Sequence, residues 1–169
     1  MKVRTPEIRD ARSIAEIHVQ SWRSAYRGIM PQRLLDNLDV GEREEMWQRI
    51  LESQCRQNLV LELESRIIGW SAFGKARDED LNPNKVAELY GIYLLQEYWG
   101  NGYGSELWQS SLNSIIETDA QSVVLWVLKE NRRAVRFYSR HGFSLERGKS
   151  KDLLRDGVAL PHQRLMLRL

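Results

Sequence analysis

The stretch from Glu88 to Ser105, ELYGIYLLQEYWGNGYGS, constrains the fold more than any other part of the chain. Aromatic and aliphatic residues dominate Leu89 to Leu95, as expected of a strand. A short polar turn follows, and Gly100, Gly102 and Gly104 then lead into a helical pattern. Glycines just before a helix let a ligand approach the main chain. The first helical turn offers N–H groups with no partner inside the helix, at the positive end of its dipole. The stretch therefore predicts an anion site, and phosphate is the chemistry that fits it best. Spacing excludes two common phosphate loops. A Walker loop needs a Lys before the Ser or Thr that follows its last glycine, and Ser105 has none. The dinucleotide fingerprint places its third glycine three residues past the second, in a first βαβ unit, whereas these glycines alternate and lie mid-chain.

The flanking pattern predicts a βαβ crossover. Leu107, Trp108, Leu112, Ile115 and Ile116 mark the apolar face of a helix over 102–117. VVLWVL at Val123 to Leu128 is apolar at every position, as in a strand covered on both faces. Strands 88–95 and 122–128 are therefore expected to be parallel neighbours, with a second helix from Asn131 to about Arg140 packed back on the sheet.

Upstream, Met1 to Arg4 reads as an edge strand, Asp10 as a helix cap, and Ile14, Ile17, Val19 and Trp22 as a helix face. Pro31 starts a further helix carrying Leu34, Leu35 and Leu38. Gly41 to Gln54 is an amphipathic helix of structural character. Leu59 to Glu64 and Ile67 to Phe73 form a hairpin turning at Ser65-Arg66. Gly74 to Lys85 is a solvated loop whose acidic triplet, Asp78 to Asp80, reads as a soluble tip. Phe143 to Arg147 and Gln163 to Leu169 are late strands joined by a polar connection containing Gly157 and Pro161.

A chain of 169 residues fits one domain, 1–169. With 42% hydrophobic and 28% charged residues it reads as globular. No run is long enough to span a bilayer, and MKVRTPEIRD carries charges where a secretory signal needs an apolar core. The one cysteine, Cys55, suits a reducing compartment, so a cytoplasmic location is expected. A net charge of +2, spread along the chain, neither demands nor excludes nucleic acid. No nucleic-acid or membrane partner is expected.

Two segments together resemble the GNAT N-acetyltransferase superfamily. Tyr93 to Gly104 is similar to that family's acetyl-CoA pyrophosphate loop. Asn131 to Phe143, NRRAVRFYSRHGF, is similar to its second motif, in which an Asn opens a helix, a Tyr lies near its end and Gly-Phe starts the next strand. The core of the resemblance covers Ala87 to Phe143, with a looser match from ARSIAEIHVQSW to Leu38. It implies an α/β acyl-CoA N-acyltransferase fold with a central mixed, mostly antiparallel sheet, a splayed parallel strand pair and flanking helices. It implies acetyl-CoA as co-substrate, no metal, and direct attack in a ternary complex by a primary amine of a small molecule or peptide. It leaves a homodimer open.

The resemblance also assigns residues. The main chain of Ile92, Tyr93 and Leu94 would hold pantetheine, with an N–H near Leu94 as oxyanion donor. Trp99, Gly100, Asn101, Gly102, Tyr103, Gly104 and Ser105 would surround the pyrophosphate. Asn131 would touch pantetheine or pyrophosphate, although helix capping alone explains an Asn there. Glu88 falls where the histone-acetyltransferase branch keeps its strand carboxylate base, and Tyr138 falls at the general acid. Gly91, in mid-strand, marks a bulge or relieves crowding between Tyr90 and Tyr93.

Trp22, Tyr26 and Tyr90 form an aromatic acceptor wall or simply pack on the core. Lys129, Arg132, Arg133 and Arg136 would meet the 3′-phosphate of CoA or form a solvated face. Trp99 and Gln96 depart from the family's usual Arg or Gln, and Pro; Trp99 would lie over the cofactor or on the surface. His18, His141 and His162 have no metal-ligand spacing, and Cys55 lacks the setting of a nucleophile. The acceptor stays open among a polyamine, an amino-acid analogue, an antibiotic and a peptide end. A non-catalytic CoA-binding sensor or regulatory module remains the alternative.

Overall fold

The computed structural model describes residues 1–169. The elements in chain order are β1 (Lys2–Arg4), α1 (Ala11–Ala25), α2 (Gln32–Asp36), α3 (Val40–Ser53), β2 (Gln57–Leu63), β3 (Arg66–Lys75), β4 (Val86–Leu94), α4 (Tyr103–Ile116), β5 (Ser122–Leu128), α5 (Arg132–Arg140), β6 (Ser144–Arg155) and β7 (Val158–Arg168). They build one seven-stranded sheet in the order β1-β2-β3-β4-β5-β7-β6. The pair β4–β5 is parallel and every other pair is antiparallel. This is the mixed, mostly antiparallel α/β architecture expected from the resemblance.

Two core layers sandwich the sheet. On one face Trp108 and Ile115 of α4 and Tyr138 of α5 pack on Phe73, Leu89, Val123 and Leu125. On the other, Ile14 and Ile17 of α1 and Trp47 of α3 pack on Val60, Trp70 and Ala72. Ile116 does not join the first layer as its spacing suggests; it is 56% exposed, at the last residue of α4.

Parallel pairing between β4 and β5 is confined to Val86↔Ser122, Ala87↔Val123 and Glu88↔Val124. The strands then part, and a bulge in β4 lies just beyond that point. Ala72 pairs with Gly91 and Phe73 with Leu89, so Tyr90 is left over. The extra residue reverses the alternation. Ala87 and Leu89 face the α4 side before it, and Ile92 and Leu94 do so after it. Tyr90 and Tyr93 consequently both belong to the α1 and α3 side.

Four local expectations change. The β2–β3 hairpin turns at Glu64-Ser65, both in the left-handed region, instead of Ser65-Arg66. The stretch between the late strands is itself strand: β6 and β7 form a long hairpin closed by Asp156-Gly157, both with positive φ, and Pro161 pairs with Asp152 inside it. Asp10 precedes α1 but turns its carboxylate back to the Glu7 N–H at 2.7 Å and to Arg4 Nη1 at 2.6 Å. The 74–85 loop is no free tip. Asp78 and Asp80 accept from the buried guanidinium of Arg164 at 3.0 and 2.8 Å, and Arg164 also pairs with Glu146 at 2.8 Å. A buried cation needs such partners, and this one fastens the loop to β7 and β6.

Candidate active site

The gap between β4 and β5 opens into a cavity of about 1120 Å³ that runs from the glycine loop to the walls of α1 and α3. At one end, Gly102 caps α4 with φ +85°, following Gly100 at φ +84°. The main-chain N–H groups from Gly100 through Gly104 donate to no group within the protein. A continuous run of free N–H groups at the start of a 14-residue helix is an anion cradle. Behind it the fit is close: a Cβ on Gly104 would meet Phe137 at 3.3 Å and Leu94 at 3.4 Å.

Trp99 takes neither of the positions open to it from sequence in full. Its indole Nε1 donates to the Leu94 carbonyl at 3.0 Å, while the Arg133 guanidinium stacks 3.4 Å from the ring centre. The ring thus ties the loop to the end of β4 and carries a cation on its outer face. Arg133, Arg136 and Arg140 line this end of the cavity; Lys129 and Arg132 do not. Asn101 and Tyr103 also lie off the lining, with Tyr103 packed on Tyr98 at 6.1 Å. Ser105 lines it and bonds His141 Nε2 at 3.0 Å. Asn131 is buried and caps α5 through its oxygen, accepting from the Ala134 N–H at 3.1 Å, while its Nδ2 has no protein partner.

At the middle of the gap Ile92, Tyr93 and Leu94 border the cavity from β4. Tyr138 reaches it from α5. Burial, and then Tyr93, push its phenol well above the ordinary value, so it is a neutral hydroxyl at physiological pH. That hydroxyl makes no hydrogen bond within the protein, leaving it free to donate.

Glu88 lies at the last position of β4 paired with β5 and is 2% exposed. Arg77 holds it three times: its N–H to Oε2 at 3.0 Å, Nε to Oε2 at 3.0 Å, and Nη2 to Oε1 at 2.6 Å. A carboxylate offers about four acceptor positions, so roughly one remains, on the Oε1 side.

The far wall is aromatic. Trp22 and Tyr26 sit at the end of α1 with ring centres 5.2 Å apart, and the Tyr26 hydroxyl bonds that of Tyr93 at 2.8 Å. Tyr90 lies under Arg77 at 4.2 Å and donates to the Lys75 carbonyl at 2.8 Å. Trp22 and Tyr26 line the cavity and also pack on Val19, Met30 and Leu35.

The structure adds residues that sequence reasoning passed over. Helix α3 is more than structural: Arg43, Met46 and Ile50 line the cavity. His18, 7% exposed, accepts from Trp47 Nε1 at 3.2 Å through Nδ1. An indole N–H can only donate, so neutral His18 carries its hydrogen on Nε2, which is buried and has no hydrogen-bond partner. His162 is the opposite case. Its Nδ1 donates to the Leu160 carbonyl at 2.7 Å, leaving Nε2 as a free acceptor in the cavity wall. Burial lowers its pKa, so it too is neutral near pH 7. No group of His, Cys, Asp and Glu side chains is arranged to hold a metal ion, and no helix is long and apolar enough to cross a membrane.

The family model of the acetyltransferase (GNAT) family matches residues 13–143. The chain belongs to the GNAT family. Its relatives include the uncharacterized N-acetyltransferase YuaI of Bacillus subtilis, 29% identical over 141 residues, which cover 82% of this chain and 78% of that protein. An uncharacterized N-acetyltransferase of Archaeoglobus fulgidus is 25% identical over 139 residues, covering 82% and 90%. The crystal structure of the PaiA N-acetyltransferase from Thermoplasma acidophilum in complex with coenzyme A superposes with a TM-score of 0.77 at 21% identity, covering 99% of this chain and 98% of that one. This GNAT chain therefore has its family's fold over essentially its whole length.

Proposed function

We propose that residues 1–169 form one N-acetyltransferase domain that transfers the acetyl group of acetyl-CoA to a primary amine by direct attack in a ternary complex. One juxtaposition carries the reading. The free N–H groups of Gly100 to Gly104, the parted edges of β4 and β5, Glu88 and the Tyr138 hydroxyl all face one cavity. Coenzyme A bound to the Thermoplasma relative supports the same class of ligand here.

Acetyl-CoA supplies a thioester activated towards amines. The loop N–H groups, with Arg133 and Arg136 nearby, suit its phosphates; the edge of Ile92 to Leu94 that β5 leaves unpaired suits the amide-bearing arm. On this reading the reacting carbonyl lies beyond the end of β4–β5 pairing. An amine with the pKa of lysine is neutral in only about one molecule in 10³ to 10⁴ at pH 7. Its proton must be removed for the lone pair to attack. Glu88 is assigned that role, and with Arg77 occupying most of its acceptor positions it acts through one water at Oε1. Tyr138 donates a proton to the departing sulfur, which is a tolerable leaving group because a thiol has a pKa near 8.5. Cys55 is exposed and lies off the cavity lining, so no thiol of the protein is placed to take the acetyl group.

Acetyl-CoA with panels of small amines, amino acids and peptide N-termini tests the reading, monitored by thiol release and by product mass. Acetylated amine is expected. Coenzyme A binding by calorimetry without acetylation of any amine would favour the sensor alternative.

A further inference from the structure

The acceptor half of the cavity lacks free negative charge. Arg43 on α3, Arg56 before β2 and Arg155 at the end of β6 all line it, and none forms an ion pair. Only two carboxylates line the same cavity, and both are engaged: Glu88 by Arg77, and Asp78 by Lys151 at 2.9 Å and Arg164 at 3.0 Å. The three arginines are near one another. Arg155 lies 5.9 Å from the Trp22 ring and Arg56 5.0 Å from that of Trp47, the helix-α3 neighbour of Arg43, and both rings pack on His18 at 5.1 and 6.3 Å.

A second observation is independent of charge. The buried side-chain polar atoms left without hydrogen bonds in this protein are His18 Nε2, Trp22 Nε1, Arg43 Nε and Trp70 Nε1. Trp22 Nε1 lies close to Tyr93 without reaching hydrogen-bond geometry. Every one of these atoms is a donor, given the tautomer that Trp47 imposes on His18. Every one belongs to a residue lining the cavity. A buried donor without an acceptor costs about 1–3 kcal/mol, so native structures seldom keep several together. These four are buried atoms, so an acceptor would reach them only if side chains around the cavity shift.

We infer that the acceptor is an amine bearing an oxyanion, a carboxylate as on an amino-acid-like molecule, held by the Arg43, Arg56 and Arg155 side of the cavity beside His18. This deepens the proposed acetyl transfer and rests on it. The same wall disfavours a polyamine: the aromatic faces of Trp22, Trp47 and Tyr90 that would attract a cation already have arginines within 6 Å. An oxyanion brings the negative charge that Arg43, Arg56 and Arg155 lack.

The experiment uses pairs of amines that differ only in the anion, at saturating acetyl-CoA: an amino acid beside its amide, and O-phosphoethanolamine beside ethanolamine, with spermidine as the polycation. Rates are compared for the wild type, Arg43→Gln and Arg155→Gln. Arg155 is exposed at the end of its strand, so its variant keeps the fold even if the half-buried Arg43 proves sensitive. The expected result is a kcat/KM at least tenfold higher for the anionic member of a pair. That ratio should fall about tenfold in each variant, chiefly through the KM of the acceptor. Preference for the amino acid identifies the anion as a carboxylate, and preference for O-phosphoethanolamine as a phosphate; either supports the oxyanion. Preference for spermidine or the uncharged amines, or an unchanged ratio in Arg155→Gln, would overturn it while leaving acetyl transfer standing. Absence of turnover with every amine would instead remove the acetyl-transfer reading on which it rests.

Discussion

Arg77 binds both oxygens of the Glu88 carboxylate, Nη2 to Oε1 at 2.6 Å and Nε to Oε2 at 3.0 Å, at the position where β4 leaves β5. The pair is unequal: the Glu88 side chain is 3% exposed and that of Arg77 is 65% exposed. Arg77 therefore serves chiefly to hold a buried carboxylate in one orientation. Glu88→Gln is expected to lower kcat near pH 7 by on the order of 10² with little change in the KM of acetyl-CoA, the scale of a lost general base. Initial rates from pH 6 to 9 check this. Equal rates in variant and wild type would move the role to His162, whose free Nε2 faces the same cavity, and His162→Gln would then carry the loss.

Tyr138 donates to nothing in the protein and is packed between Phe137 and Phe143, with ring centres at 5.3 and 5.7 Å. Tyr138→Phe removes one oxygen and leaves that packing intact. Its thermal midpoint should stay near that of the wild type, while kcat falls by about tenfold, less than for Glu88→Gln because a thiolate leaves without much help. A large drop in melting temperature would show that the hydroxyl is structural.

Gly69 lies opposite Leu94, and a Cβ there would come within 2.4 Å of Leu94 Cδ2 and 2.8 Å of the Tyr93 carbonyl oxygen. The side chain of Leu94 has somewhere to go; the main chain of β4 does not. Gly69→Ala should cost about 1–3 kcal/mol, the usual range for overpacking. Because the displaced segment is the one assigned to pantetheine, the KM of acetyl-CoA should rise severalfold as well. Urea denaturation and acetyl-CoA titration measure the two effects separately. A loss of stability with unchanged acetyl-CoA affinity would place the ligand elsewhere.

His18 is held neutral. Burial first, then Arg43, Arg56 and Arg155, push its pKa down to about 3. In the unfolded chain it takes a proton near pH 6.5, so between about pH 6.5 and 3 the unfolded state binds more protons and is favoured as pH falls. The contribution is complete above pH 6.5 and fades below it, by as much as about 1.4 kcal/mol per pH unit. His18→Gln should therefore show a shallower fall in stability than the wild type between pH 6.5 and 4.5. Parallel curves would mean that His18 is accessible to protons in the folded state.

The parts legible in the sequence are those fixed by local pattern. The glycines before α4, the all-apolar β5, the capping Asn131 and the mid-strand Gly91 each state a local geometry, and together they locate the splayed pair. What stayed hidden depends on long-range placement. The 148–162 segment is polar over most of its length because it packs on the core through only a few residues such as Leu160, and only Asp156-Gly157 signals its turn. Asp78 to Asp80 look soluble until Arg164, more than 80 residues later, is seen between them. Arg43 and Arg155 sit on segments that read as ordinary polar faces, and only the fold brings them to one wall. Metal-ligand spacing says nothing of His162, whose chemistry lies in one bond to the Leu160 carbonyl.

Initial velocities over a grid of acetyl-CoA and acceptor concentrations test the central claim most directly. A cavity that holds thioester, Glu88 and acceptor together, with no thiol of the protein placed to accept acetyl, predicts intersecting double-reciprocal lines and thiol release only when both substrates are present. Parallel lines, with a burst of thiol from acetyl-CoA alone and an acetylated protein by mass, would contradict direct transfer in this cavity.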